Sequence, residues 1–347
     1  MTLPDRLAWT EEGTELVAPG VHRIPLPLPT DGLRAVNVYA IEAADGLVLI
    51  DSGWALANSR DQLVRSLARI GAGLPDVRRF LVTHLHRDHY TQALAIRREL
   101  GTHVALGSGE RPSIEKILAP RFGGLPAQVA QLRLAGADAV VRELTELAGS
   151  GAPADFGYGE PDEWITGGQA FDLGTRTLQA IATPGHTSGH LVFADAAAGL
   201  LFAGDHVLPH ITPSIGFEEE PGPLPLGAYL ESLNVVRRMA DMTLLPAHGP
   251  VAPSTHARID ELIDHHDGRL AAMAGLLAGG GQLTAYDVAR ELPWTSRRRK
   301  LSELDVMNQM LAICETAYHL DLLVARSQAA SAITDGVRHY QLVPPPA

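Results

Sequence analysis

The chain has 347 residues, of which 46% are hydrophobic and 20% charged, and its formal net charge is −12. This length is enough for one large domain and a smaller one with a sizeable buried core. A single cysteine, Cys314, excludes an internal disulfide and a thiolate metal cluster. The acidic balance disfavours non-specific binding to nucleic acid.

The sequence contains no segment typical of secretion or of a membrane span. Residues 1–10 include Asp5 and Arg6 but no apolar run resembling a signal peptide. No run of about 18 apolar residues occurs along the chain. We therefore expect a soluble, cytoplasmic protein with no membrane partner.

The first hundred residues alternate between strand and helix patterns. Strands are predicted at residues 36–41, 46–50, 79–83 and 103–106, and helices at residues 59–70 and 91–100. Asn58 or Ser59 is the expected cap of the first helix. Such alternation is typical of an α/β fold.

A helical segment then interrupts the strands. Residues 110–147 show helical spacing, residues 149–159 form a Gly-, Ala- and Pro-rich loop, and strands resume at residues 171–173, 177–182, 190–194, 200–203 and 243–245. Residues 111–168 are therefore expected to be a helical insertion. Its apolar side chains indicate either a lid over a channel for an acyl chain, or helices that pack on the scaffold or form a homodimer contact.

A domain boundary is expected in the Gly- and Pro-containing residues 249–254. It divides a domain of residues 1–255 from one of residues 256–347. In the second, helices are predicted at residues 256–277, 286–292 and 307–322, and strands near residues 323–325 and 337–342. Thr284 and Asp287 form a predicted capping box. This order suggests a winged helix.

The strongest chemical signal is the heptapeptide Thr-His-Leu-His-Arg-Asp-His at residues 83–89. Its ligand-type side chains are His84, His86, Asp88 and His89. Imidazole and carboxylate groups suit zinc, iron or manganese. Because a strand precedes the turn and a helix follows it, His84 and His86 could bind one ion, and Asp88 and His89 a second. The alternative is a solvated loop that is merely rich in histidine.

Three more polar residues follow predicted strands. They are His186 in Pro-Gly-His, Asp205 in Gly-Asp and His248 in His-Gly. Each alone would be explained as a turn residue. Together with the heptapeptide, however, all four motifs lie at the carboxyl ends of strands, where open α/β sheets bind ligands.

These four motifs, in this order, resemble those of the metallo-β-lactamase superfamily over about residues 21–249. The resemblance implies an αββα sandwich in which His84, His86 and His186 bind one metal ion. Asp88, His89 and His248 would bind a second ion and Asp205 would bridge the two. Asp51 matches a position that supports the metal-binding turn. Residues 256–347 resemble the winged-helix extension of lactamase-like members. One departure from the family lies just after the metal-binding turn, where many members have a small or Gly-rich stretch and this chain has Tyr90, Thr91 and Gln92.

The chemistry that this resemblance implies is metal-dependent hydrolysis. Two zinc ions (or iron or manganese) would share a hydroxide that attacks an ester or thioester carbonyl, with Asp88 orienting the water or taking its proton. The expected partner is a small acyl substrate, as for glyoxalase-II-like and acyl-thioester enzymes. The alternatives are an RNA-cleaving nuclease and, with less support, a binding protein with an inactive site.

Two further features stay open. His206 and His210 follow Asp205 and could reach a substrate, or they could be structural or surface residues. Arg297, Arg298, Arg299 and Lys300, here called the basic turn, form the only basic cluster in the sequence. They could contact an RNA backbone or the phosphates of an acyl carrier such as coenzyme A, or they could form a solvated loop.

Overall fold

The first of two facing β-sheets is built from the N-terminal half of the chain. The computed structural model describes residues 7–29, 33–119, 125–148, 157–295 and 297–343. The strands of this sheet, in both chain and spatial order, are β1 (Glu15–Ala18), β2 (Val21–Pro27), β3 (Ala35–Ala43), β4 (Gly46–Ile50), β5 (Val77–Val82), β6 (His103–Gly107) and β7 (Glu163–Ile165). Strands β1 to β4 pair antiparallel, and β4 to β7 pair parallel.

The second sheet carries the later polar motifs. Its strands are β8 (Ala170–Asp172), β9 (Thr177–Ala182), β10 (Leu191–Asp195), β11 (Leu200–Gly204) and β12 (Thr243–Pro246), in the spatial order β12-β11-β10-β9-β8. Only the pair β11 and β12 is parallel, so these two strands end at the same edge of the sheet.

The two sheets pack face to face with helices on their outer sides. Tyr39 and Phe202 meet edge-on between the sheets, with ring centroids 5.4 Å apart. Helices α1 (Ala57–Arg69) and α2 (Arg87–Leu100) bury Leu63 and Leu94 against the first sheet. Helix α6 (Pro225–Arg237) buries Tyr229 against the second. This is the expected helix–sheet–sheet–helix layering.

Two helix starts differ from the sequence prediction. Helix α1 begins at Ala57, two residues earlier than expected, and neither Asn58 nor Ser59 caps it, because Leu56 occupies the cap position without a side-chain bond. Helix α2 begins at Arg87 rather than at residue 91. His86 takes the cap position, so this helix begins inside the heptapeptide.

The insertion consists of α3 (Arg111–Leu118), α4 (Pro126–Leu134) and α5 (Asp138–Ala148). The helical stretch expected over residues 110–147 is interrupted at Gly136, whose φ of +78° ends α4 before α5 begins. Strand β7 lies inside the range expected to be helical, so the helical part ends earlier than predicted. The loop predicted at residues 149–159 lies outside the described residues except for residues 157–159.

The C-terminal region consists of α7 (Thr255–Leu277), β13 (Leu283–Thr284), α8 (Ala285–Glu291), α9 (Val306–Ala325), β14 (Ala329–Thr334) and β15 (Val337–Leu342), with β15 central in a three-stranded sheet. The predicted capping box is confirmed, since the Asp287 amide donates to the Thr284 hydroxyl at 3.1 Å. The strand predicted near residues 323–325 is wrong. Those residues form the last turn of α9, because Leu322 and Leu323 are buried as part of that apolar helix.

One hydrophobic core joins the C-terminal region to the rest of the molecule. Leu132 and Val140 of the insertion, Leu244 of the second sheet, and Met310 and Leu320 of α9 all belong to it. The insertion therefore packs on the scaffold, which is one of the alternatives that its apolar side chains indicated. Among the described residues, no helix is both long and apolar enough to cross a membrane.

Candidate metal centre

The heptapeptide at residues 83–89 leaves the buried end of β5 and enters α2. His86 occupies the cap position of α2, so Asp88 and His89 lie in the first helical turn. The amino end of a helix favours a carboxylate such as that of Asp88. His84 and His89 are fully buried, and Asp88 is partly exposed. The turn thus presents four ligand-type side chains toward the gap between the sheets.

The other three motifs converge on the same place. His186 lies in the loop between β9 and β10, and Asp205 and His248 follow the parallel ends of β11 and β12. Gly204 adopts a φ of +50°, and a Cβ atom there would lie 2.8 Å from the Thr83 side chain. The absence of a side chain at Gly204 lets the Asp205 backbone approach the heptapeptide closely.

His84, His86, His186 and Asp205 form the first ligand group, with donor atoms all within 4.8 Å of one another. His84 Nε2 lies 3.0 Å from His86 Nδ1, and His186 Nε2 lies 3.2 Å and 3.1 Å from these two atoms. A tetrahedral zinc ion with bonds of 2.0–2.1 Å would separate its ligand atoms by about 3.3 Å. The spacing of the three nitrogens is close to this value.

Asp88, His89 and His248 form the second ligand group. Asp88 Oδ2 lies 3.5 Å from His89 Nε2 and 3.3 Å from His248 Nε2. Asp205 faces both groups, because its Oδ2 lies 3.5 Å from His186 Nε2 while its Oδ1 lies 3.4 Å from His248 Nε2. The seven residues therefore form one continuous cluster with Asp205 in the middle.

Hydrogen bonds on the outer side of the cluster orient each imidazole. The outward nitrogens contact the Thr83 hydroxyl (His84, 3.0 Å), the Phe217 carbonyl (His86, 2.7 Å), the Ser214 carbonyl (His186, 2.6 Å), the Asp51 carboxylate (His89, 2.9 Å) and the Ala35 carbonyl (His248, 2.8 Å). Because the outward nitrogens donate these bonds, the inward nitrogens of neutral rings carry lone pairs.

The inward atoms fit a bound cation. His89 Nε2, His248 Nε2 and Asp205 Oδ1 are buried and have no hydrogen-bond partner among the described residues. The inward nitrogens of the first group face one another with no proton to share. Buried lone pairs this close repel unless a positive charge lies between them. The cluster is therefore compatible with binding divalent metal.

The charges of the cluster also suit a cation. Burial lowers the pKa of His86 to about 3 and that of His84 well below its ordinary value, so both rings stay neutral. Burial alone would raise the pKa of Asp205, but His248, His89 and His186 outweigh it and lower that pKa. At His89 and His248, burial also opposes the charged form, but the neighbouring carboxylates outweigh it and raise the pKa of both rings. The carboxylates are therefore ionised, the imidazoles of the first group are neutral, and a bound cation would replace the protons of His89 and His248.

Asp51 contacts the heptapeptide, as the resemblance to the superfamily implied. It adopts a left-handed backbone with φ of +60°. Its Oδ1 accepts bonds from the Thr83 amide at 2.8 Å and the Thr83 hydroxyl at 2.9 Å, while its Oδ2 accepts the His89 bond. One buried carboxylate therefore holds both ends of the turn.

Sequence reasoning missed two buried glutamates beside the cluster, Glu110 and Glu218. Glu110 Oε1 accepts a bond from the Thr187 hydroxyl at 2.5 Å and a longer one from the Leu85 amide at 3.4 Å, so it links two ligand-bearing loops. Glu218 accepts bonds from the Ser188 amide and hydroxyl. Burial raises the pKa of Glu218 to about 7 and that of Glu110 well above its ordinary value. No local sequence pattern distinguishes these glutamates from surface ones.

A cavity of about 560 Å³ opens onto the cluster. Its metal-facing side includes His86, Asp88, His186 and Asp205. The remaining walls are mostly apolar and include Trp54, Leu85, Ile117, Leu125, Tyr158, Phe217, Met307 and Leu311. His206 and His210 do not line this cavity: His206 is buried against Tyr229, and His210 is exposed.

Comparisons with known proteins agree with this arrangement. The curated relatives include proteins named Lactamase-like protein nscB from several organisms. The one from Aspergillus fumigatus is 25% identical over 71% of this chain and 57% of its own length. The one from Arthroderma gypseum is 35% identical over 33% of this chain and 34% of its own length. The chain thus spans between a third and somewhat over half of these relatives.

Two solved structures are similar over almost the whole chain. A beta-lactamase domain protein from Burkholderia ambifaria has a TM-score of 0.74 and 26% identity, covering 99% of this chain and 97% of its own. A metallo-beta-lactamase family protein from Thermus thermophilus has a TM-score of 0.71 and 24% identity, covering 94% and 100%. The sequence model of the metallo-beta-lactamase superfamily matches residues 31–248, which contain all seven residues of the cluster, and the chain belongs to that superfamily.

Proposed function

We propose that the protein is a dinuclear metal-dependent hydrolase that acts on the carbonyl of an ester or thioester. The observation that carries this proposal is the position of Asp205. Its two oxygens face two separate ligand groups at the base of a largely apolar cavity. A carboxylate that faces two groups in this way is suited to bridge two ions.

The residues divide between the ions as the resemblance implies. His84, His86 and His186 would hold the first ion, Asp88, His89 and His248 would hold the second, and Asp205 would contact both. Zinc suits these donors, and iron or manganese would also accept them. When bound, two such ions activate water near neutral pH and polarise a carbonyl oxygen.

Asp88 is the residue proposed to act on the proton of the attacking water. It lines the cavity, and its pKa lies well below its ordinary value because His89 and His248 outweigh the effect of burial. The carboxylate is therefore ionised and able to orient a water molecule or accept its proton. Asp88 thus both holds the second ion and faces the substrate side of the cluster.

The cavity walls favour a carbonyl substrate over a nucleic acid. Ile117, Leu125 and Phe217 offer apolar surface for an acyl group, and Glu218 and Glu219 add carboxyl groups to the wall. A polyanion would meet these groups and a chain of net charge −12. An apolar acyl group meets no such penalty. A thioester is favoured further, because its thiolate leaving group departs without protonation by a strong acid.

We propose that residues 256–347 form a winged-helix domain attached to a catalytic domain of residues 1–255. The order of helix, short strand, two helices and a hairpin in a three-stranded sheet supports this assignment. Met307 and Leu311 of α9 line the cavity, so the C-terminal region would help to enclose the substrate. A winged-helix shape by itself does not imply DNA binding.

The test is a substrate panel on protein reconstituted with zinc: small thioesters, lactones and single-stranded RNA. We expect turnover of at least one thioester or lactone and its loss after treatment with a chelator, because the activated water depends on the ions. The chelated protein is the matched control. RNA cleavage without carbonyl turnover would favour the nuclease alternative. No turnover of any substrate by fully metallated protein would favour the binding-protein alternative.

A further inference from the structure

A second cavity, of about 680 Å³, meets the first at the metal cluster. Both cavities are lined by Leu33, His186, Asp205, Ser214, Met307 and Leu311. The cluster therefore lies where two arms of one groove join. A substrate whose reacting carbonyl sits at the cluster can extend into both arms, one on each side of the bond that breaks.

The two arms differ in chemistry. The first arm has the aromatic and aliphatic walls described above, including Trp54, Tyr158 and Phe217. The second arm adds the hydroxyl and amide side chains of Thr212, Thr295 and Asn308, the carboxyl groups of Asp305 and Glu315, and further apolar residues. An apolar acyl group fits the first arm, and a group with amides and hydroxyls fits the second.

The second arm reaches the root of a small hairpin that carries the basic turn. Trp294 and Arg299 exchange two backbone hydrogen bonds of 2.7 Å each. The Trp294 indole lines the arm and is held from behind, since its Nε1 donates to the Ala289 carbonyl at 2.9 Å and the Arg269 guanidinium stacks 4.2 Å from its ring centroid. The backbone that presents the basic turn is therefore fixed next to the groove.

The side chains of the basic turn are available to an anion. Arg297, Arg298, Arg299 and Lys300 are all exposed. Among the described residues, no carboxylate forms an ion pair with any of the four. Four such cations beside a groove, on a chain of net charge −12, are a local site of positive potential. Arginine and lysine at such a place are suited to phosphate groups.

From these observations we infer that the substrate is a coenzyme A thioester. The acyl group lies in the first arm, the amide-bearing thiol portion lies in the second, and the phosphates contact the basic turn. This inference rests on the proposed hydrolase function. In the reaction, water adds to the carbonyl carbon and the carbon–sulfur bond breaks. The products are the carboxylic acid and free coenzyme A thiol, with the two protons of water divided between them.

The test compares two thioesters of the same acyl group, one of coenzyme A and one of N-acetylcysteamine, which carries no phosphate. In the variant R297A/R298A/R299A/K300A we expect KM for the coenzyme A thioester to rise about tenfold or more, with kcat within about twofold, because the lost binding is shared by ground and transition states. Both parameters for the small thioester should stay unchanged, which also shows that the variant is folded.

Two further variants serve as controls. The variant R297K/R298K/R299K keeps the charges and should keep most of the affinity. The variant R133A/R142A removes exposed cations of the insertion and should leave KM unchanged. An unchanged KM for the coenzyme A thioester in the quadruple variant would overturn the inference. So would RNA cleavage that is salt-sensitive and lost in that variant, which would assign the turn to nucleic acid. If the wild type hydrolyses neither thioester but turns over a lactone, the inference fails and the proposed function stands; if it turns over no carbonyl substrate, both fail.

Discussion

Replacing Asp205 by alanine is expected to remove bound metal and turnover together. Asp205 is the residue that faces both ligand groups, and one of its buried oxygens has no hydrogen-bond partner among the described residues. Without this carboxylate each of the two proposed ions would lose a ligand, and the cluster would lose a negative charge. We expect kcat/KM to fall roughly 10³-fold or more, which is at least about 4 kcal/mol of transition-state stabilisation. Metal analysis and kinetics on the same preparation measure both effects.

Two variants separate charge from general destabilisation. Asp205→Asn keeps the shape of the side chain but removes its charge, so metal loss in this variant would show that the charge is required. Asp195→Ala is the matched control, because Asp195 is also a buried aspartate of the second sheet, but it pairs with Arg176 rather than with the cluster. It should lower stability and leave metal content intact. Full metal and full turnover in Asp205→Ala would contradict the role assigned to this residue.

Replacing Gly185 by alanine is expected to lower the stability of the fold strongly. Gly185 immediately precedes His186 and has a φ of +136°. A Cβ atom there would lie 2.4 Å from the Cα and Cβ atoms of Tyr229. Since Tyr229 is buried in α6, neither backbone can move without disturbing the core. We expect a loss of at least about 3 kcal/mol of unfolding free energy, measured by denaturant titration of the metal-free protein.

The matched control for this variant is Gly199→Ala. Gly199 also has a positive φ, +65°, but nothing lies within 4 Å of the position of its Cβ atom. This change should cost only about 1 kcal/mol, from the backbone conformation alone. Gly185→Ala should also weaken metal binding, because it displaces the loop that holds His186. If both variants unfolded at the same denaturant concentration, the close approach to Tyr229 would not be a constraint on the site.

The cluster could be predicted from the sequence because each of its motifs follows a strand. His186, Asp205 and His248 follow short apolar strands that end at Ala182, Gly204 and Pro246. The order of strands and helices then brings these ends together at one edge of the fold. For these residues, the sequence pattern that marks the end of a strand also marks the place where the ligands meet, and the structure brings all seven together.

Other features depend on contacts that local patterns do not encode. The bonds of Glu110 to Thr187 and Leu85 join segments far apart in the chain, so a sequence pattern cannot indicate them. The strand predicted near residues 323–325 failed because a buried helix and a buried strand share the same apolar composition. The insertion packs Leu132 into the core and presents Ile117 to the cavity, and both placements depend on segments distant in the chain.

The number of metal ions bound per chain distinguishes a dinuclear hydrolase from a protein with a single-ion or inactive site. Metal-free protein would be titrated with zinc, and bound metal and thioester turnover would be followed together. Seven ligands are too many for one tetrahedral ion, so we expect close to two ions per chain, with full turnover only when both are bound. Saturation at one ion or fewer with excess zinc, or turnover that does not depend on metal, would contradict the account.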